Sequence, residues 1–141
     1  MSAARHFPLD IELAALPLFS GLTPEQLRWV ARVAARVQEP KGEVLTKEGE
    51  RGDELMIVLE GTVEVRHDGH VLATLGRGDF FGEVALLDPT ARRTATAVAA
   101  TRVTIVFIGR HDVAHLLAEM PELADRIANA AHERRAELDQ R

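Results

Sequence analysis

The stretch LMIVLEGTVEVRHDGHVLATLGRGDFFGE, residues 55–83, decides how this chain folds. Short apolar runs, Leu55–Leu59, Thr62–Val65 and Val71–Leu75, are separated by glycines at 61, 69, 76, 78 and 82. Each run is too short for a helix, and Asp68-Gly69 between two of them is a strong signal for a tight hairpin. Further glycines at 42, 49 and 52 precede the stretch, and Ala95–Val98 and Val103–Ile108 follow it as two more strands. Many short strands joined by glycine turns predict a sandwich or small barrel. At its end the stretch runs into Phe80-Phe81-Gly82-Glu83-Val84-Ala85-Leu86-Leu87-Asp88-Pro89-Thr90-Ala91-Arg92-Arg93-Thr94-Ala95-Thr96. A glycine, a carboxylate, a short apolar turn and an arginine followed by a hydroxyl suit a ribose phosphate. Backbone N–H groups opening a short helix hold phosphate oxygens, an arginine adds a charged fork, and a carboxylate accepts from a ribose hydroxyl.

Helices flank the strands. Thr23-Pro24-Glu25-Gln26 predicts a helix start with Thr23 as N-cap, Pro24 at the first position and Gln26 closing a capping box. Leu27, Val30, Ala31 and Ala34 follow on one face. Asp112–Glu119 is a second candidate helix, and Pro121 opens a third, with Leu123, Ile127, Ala130, Ala131 and Leu138 as a loose apolar stripe. The organisation expected is an N-terminal segment over 1–15, a helical part over 16–37, a barrel over 38–109, closing helices over 110–138, and a tail over 139–141.

Composition narrows the function. With 141 residues and 46% hydrophobic content the chain can form one domain with a core. The net charge of −5 argues against broad attraction to nucleic acid. The absence of cysteine removes disulfides, thiolate zinc sites, iron–sulfur clusters and thiol catalysis. The start has no long apolar run and no stretch approaches a membrane span, so no membrane association and a cytoplasmic location are expected. No nucleophile elbow, zinc-protease motif or Walker loop occurs, so no enzyme and no cofactor is expected. His111 and His115 have a metal-compatible helical spacing but lack a third ligand, and His67 and His70 flank the Asp68-Gly69 turn; both pairs read as solvated.

The order of helix, glycine-punctuated strands, cassette, two strands and two helices resembles the cyclic nucleotide-binding domain family over roughly residues 16–138. Matching motifs are Lys41-Gly42-Glu43, Lys47-Glu48-Gly49-Glu50, Leu59-Glu60-Gly61, and Leu75-Gly76-Arg77-Gly78-Asp79-Phe80-Phe81-Gly82-Glu83. The resemblance implies a mixed α and β fold: a jelly-roll-like antiparallel β-barrel, or double-stranded β-helix, with flanking N- and C-terminal helices. It implies a ligand, cyclic AMP or cyclic GMP, with cyclic AMP slightly favoured, and a ligand-sensing regulatory role. Ligand contacts are expected from Phe81, Gly82, Glu83, Val84, Ala85, Arg92, Arg93, Thr94 and Ala95. Gly82 corresponds to the glycine that lets backbone approach the ligand, Glu83 to the ribose carboxylate, and Ala85 to a phosphate-binding N–H.

For the phosphate arginine the resemblance leaves two choices. Counting forward from Glu83 at the common family spacing reaches Arg92, whereas counting back from Thr94-Ala95-Thr96 reaches Arg93. Arg93 is preferred, because a loop absorbs an extra residue more easily than a strand. Thr94 suits a phosphate oxygen or a guanine amino group and does not decide the base. Ile127, Ala131 and Arg134 or Arg135 are expected to form the lid over the base, without an aromatic ring. Ligand binding is expected to order 83–87, move Leu86 and Leu87, and repack the last two helices. Only about thirty residues follow the last strand, so no helix-turn-helix output, and no DNA partner, is expected. The downstream protein partner is unknown, and by analogy a homodimer would form through the last helix. The rival readings are a degenerate domain serving protein interaction, and a metal-dependent cupin-type enzyme.

Overall fold

The computed structural model describes residues 7–82 and 92–139, with the side chains of 131 and 134–139 outside that description. Two helices come first, α1 (Leu9–Ala14) and α2 (Pro24–Val33), with a 3-10 turn at Pro17–Phe19 between them. Eight strands follow: β1 (Ala35–Glu39), β2 (Val44–Thr46), β3 (Glu54–Glu60), β4 (Val63–His67), β5 (His70–Leu75), β6 (Phe80–Phe81), β7 (Thr96–Ala99) and β8 (Val103–Gly109). The chain closes with α3 (Arg110–Glu119) and α4 (Pro121–Asp139). The strands form two four-stranded antiparallel sheets, ordered β1-β8-β3-β6 and β2-β7-β4-β5. This is the jelly-roll-like arrangement with flanking helices that the sequence predicts.

Side-chain alternation explains why β3 and β8 read as unbroken apolar runs. Leu55, Ile57 and Leu59 on β3, with Val106 and Ile108 on β8, face a core shared with the helices. Met56 and Val58, with Val103 and Ile105, face a second core between the sheets. Both faces of this strand pair are covered, so both residue parities are apolar. The other sheet has one wet face. Val63, Ala97 and Ala99 are buried inside, while on the outer face Arg66 donates to Glu64 at 2.6 Å. The β4–β5 turn has Asp68 at φ 49° and Gly69 at φ 79°, the left-handed pair that a two-residue hairpin requires.

The capping box forms as predicted: Gln26 N donates to Thr23 Oγ1 at 3.1 Å, and Thr23 N donates to Gln26 Oε1 at 2.8 Å. Three features differ from the sequence reading. The helical part ends before residue 37, because Ala34 is already extended and Arg36 and Val37 pair with Val106 and Ile105 of β8. Alanine and arginine are good helix formers, and sheet pairing overrides that preference. Part of the N-terminal segment belongs to the folded domain, since Leu13 of α1 is fully buried in the helical core. The short strands β2 and β6 add to those the sequence predicts; a two- or three-residue strand has no period to detect.

The last helix is seated on the N-terminal turn. Arg126 Nη1 donates to the carbonyls of Leu18 and Ser20, both at 2.8 Å, and Leu123 and Ile127 are buried beside it.

Two substitutions test these layers by urea denaturation. Ile105→Ala removes a side chain with 0% exposure from the inter-sheet core and is expected to cost about 2–5 kcal/mol. Thr23→Ala loses one cap and is expected to cost about 1 kcal/mol. Equal losses would contradict the two-core packing.

Candidate functional site

Gly82 and Arg93 meet at one end of the first sheet. Gly82 follows β6 and has φ +92°, a conformation that disfavours any side chain. A Cβ there would overlap Arg93 Nη1 and lie 2.8 Å from the Glu54 carbonyl. The glycine therefore makes room for a guanidinium and a β3 carbonyl. Arg93 is 8% exposed, and its Nη2 donates to Glu54 O at 2.9 Å.

The backbone of Arg93 is fixed as well. Its N–H donates to Glu50 O at 2.7 Å, and its carbonyl accepts from Gly49 N at 2.9 Å. The loop making those bonds is held by α3: Arg110 N donates to Asp53 O at 2.8 Å, and Arg110 Nη2 donates to Gly52 O. Arg92, by contrast, is exposed and forms an isolated bridge with Arg51. The two candidate arginines thus have opposite environments. One is buried and aligned by sheet and loop, and the other faces solvent.

The remaining expected residues divide three ways. Thr94 and Ala95 are half-buried beside Arg93, and the Thr94 carbonyl lies 3.0 Å from His67 Nδ1. Phe81 is 3% exposed and packs in the inter-sheet core with Met56 and Val58, so its side chain is structural and only its backbone is available to a ligand. Ile127 is 1% exposed within the helical core. As placed here it braces α4 against the domain and does not present a lid; an apolar stripe has the same sequence signature in either use. Glu83, Val84, Ala85, Leu86 and Leu87 lie outside the described residues, and so do the side chains of Ala131, Arg134 and Arg135. The sequence reading missed the 49–54 loop, the Glu54 carbonyl and Arg110. Lys47-Glu48-Gly49-Glu50 was visible as a motif, but backbone acceptors and partners tens of residues away leave no local signal.

Among the described residues, a groove of about 380 Å³ between α2 and α3 is lined by residues including Trp29, Arg32, His115 and Glu119. It shares no residue with the Gly82–Arg93 site. His115 stacks on Trp29 at 4.7 Å and lies 3.9 Å from Glu119, which gives it a packing role. No described helix is long and apolar enough to cross a membrane.

Comparison with known proteins agrees with this architecture. The family model described as "Cyclic nucleotide-binding domain" matches residues 36–120. A cyclic nucleotide-gated potassium channel of Rhizobium etli is 38% identical over 125 residues, covering 87% of this chain and 34% of the channel. A CRP-like cAMP-activated global transcriptional regulator of Mycobacterium tuberculosis is 31% identical over 124 residues, covering 84% of this chain and 55% of the regulator. Among solved structures, cAMP bound PfPKA-R (141-441) superposes with a TM-score of 0.85 at 27% identity, covering 93% of this chain and 45% of that one. The chain belongs to the cyclic nucleotide-binding domain family, a regulatory and not a catalytic class. It spans about a third to about half of the length of these relatives.

Gly82→Ala is expected to lower stability by more than the roughly 1–2 kcal/mol of a left-handed alanine, because Arg93 must also move. Gly42→Ala, at φ +94° with open space around it, measures the backbone cost alone. Equal shifts in the two urea curves would mean that Arg93 does not pack against Gly82.

Proposed function

We propose that this domain binds cyclic AMP and that Arg93 grips its phosphate. The observation that carries this reading is the fixed, buried placement of Arg93 against Gly82 and Glu54 O. A guanidinium held by its surroundings loses little rotamer freedom on meeting an anion, and its planar fork matches the geometry of two phosphate oxygens. Arg92 stays in solvent and outside the site. Glu83 takes the ribose hydroxyl and the N–H groups opening the 83–87 segment, Ala85 among them, take phosphate oxygens; Thr94 adds a hydroxyl. The choice of cyclic AMP over cyclic GMP is supported by relatives: the Mycobacterium regulator is cAMP-activated and PfPKA-R is cAMP-bound.

The regulatory consequence follows from the connections of the site. Arg93 is tied through the 49–54 loop to Arg110 at the start of α3. Phosphate capture that shifts this loop shifts the base of α3, and with it α4. Ligand binding changes that equilibrium only as far as its affinity differs between the two packings. The helices would then pass the signal to a protein partner or to a second copy docked on α4.

Calorimetric titration of nucleotide-free protein tests the reading. Loss of a charged hydrogen bond, about 1.5–3 kcal/mol, should weaken cyclic AMP binding by Arg93→Ala about 10- to 150-fold, whereas Arg92→Ala should bind as the parent does. The opposite pattern would move the phosphate contact to Arg92, and tighter binding of cyclic GMP would reverse the base assignment. No heat and no thermal shift with either nucleotide would leave an interaction module as the better reading.

A further inference from the structure

We propose a divalent transition-metal site at the tip of the β4–β5 hairpin, formed by His67, Asp68 and His70 with Glu48 in support. His67 Nδ1 lies 3.0 Å from the Thr94 carbonyl and 3.2 Å from Glu48 Oε2. Both neighbours are acceptors, so in the proposed site Nδ1 carries the hydrogen and Nε2 is the metal-binding nitrogen. A carbonyl or carboxylate behind one imidazole nitrogen is the arrangement that orients a metal-binding histidine and raises its basicity.

The open nitrogen meets a second donor at a suitable distance. His67 Nε2 lies 3.5 Å from Asp68 Oδ2, whereas two ligands on a tetrahedral zinc ion at its usual bond lengths are about 3.3 Å apart. The ligand-capable atoms of Glu48, His67 and Asp68 all lie within 4.8 Å of one another. The hairpin brings a third donor. His70 is the cross-strand partner of His67 and is exposed. Directly opposed residues share a face, with Cβ atoms about 4.5–5.5 Å apart; His70 stands outside the Glu48–His67–Asp68 group, and the proposed site needs its exposed ring to turn toward the ion.

Two imidazoles and one carboxylate leave a fourth position for water, and this donor set suits zinc, copper or nickel over magnesium or calcium. Glu48 serves from the second layer. It comes from the loop that also holds Arg93, and its own N–H donates to Thr96 Oγ1 at 3.0 Å. A bound ion would fasten the hairpin tip to that loop and to Thr94. This site is independent of the nucleotide reading, and none of its metal ligands is among the proposed phosphate contacts.

The test is calorimetric titration of the untagged full chain with zinc chloride in a non-chelating buffer, without nucleotide, alongside thermal melts that confirm folding of each variant. The expected result is one ion per chain. His67→Ala and His70→Ala should each abolish that binding, and Asp68→Asn, which keeps a residue tolerant of the left-handed turn, should weaken it. Glu48→Gln should weaken it about 10-fold, and the His111→Ala, His115→Ala double variant should leave it unchanged. No zinc binding by the parent, binding that survives either hairpin histidine variant, or binding lost with His111 and His115 would overturn the proposal.

Discussion

The pairing of β3 with β8 is the constraint on which the rest of the structure depends. Both strands are apolar on both faces, so neither face can be left in water, and two cores must form at once. Facing one side, Met56, Val58, Val103 and Ile105 require the second sheet to close over them. Facing the other, Leu55, Ile57, Leu59, Val106 and Ile108 require helices, which come from both ends of the chain. The N-terminal and C-terminal helices are therefore neighbours although residues 34–109 lie between them in sequence. Burial of apolar area stabilises by about 25 cal/mol per Å², and it is this burial on a shared layer that holds the two sets of helices together.

The candidate site inherits its rigidity from this pair. Glu54 opens β3 opposite Gly109 at the end of β8, and its carbonyl accepts from Arg93. Arg110, the next residue after β8, holds the loop that pairs with the Arg93 backbone. A buried guanidinium without hydrogen bonds would be costly. Here its environment includes a strand-end carbonyl, and the absence of a side chain on Gly82 gives it space.

The helical layer is fastened to the N-terminal turn. Arg126 ties α4 to the carbonyls that end the N-terminal turn, and Leu123 and Ile127 fill the core beneath. These contacts hold one packing of α4 on the domain. The α4 contacts are made on the helical side of β3–β8, while Gly82 and Arg93 lie at the sheet end; among the described residues, Arg110 at the start of α3 bonds to the loop that pairs with Arg93. One strand pair thus serves as scaffold for both the candidate site and the helical layer.

Much of this was written in local pattern. Glycine spacing, the Asp68-Gly69 turn, the capping box at Thr23 and the double-faced apolar runs each reflect forces acting over a few residues, so the barrel, its clearest strands and the start of α2 follow from the sequence. The order of motifs likewise pointed to Gly82 and Arg93, and counting from the strand side singled out the arginine that is buried. Tertiary structure decided the rest. It drew residues 35–37 out of the expected helical part and into a sheet, placed Phe81 and Ile127 in cores, and joined Glu48, His67 and Thr94 from three separate segments. Those outcomes depend on which distant partner satisfies a strand edge, an apolar face or a hydrogen-bonding group, and residues far apart in the chain carry no shared period from which that partner can be read.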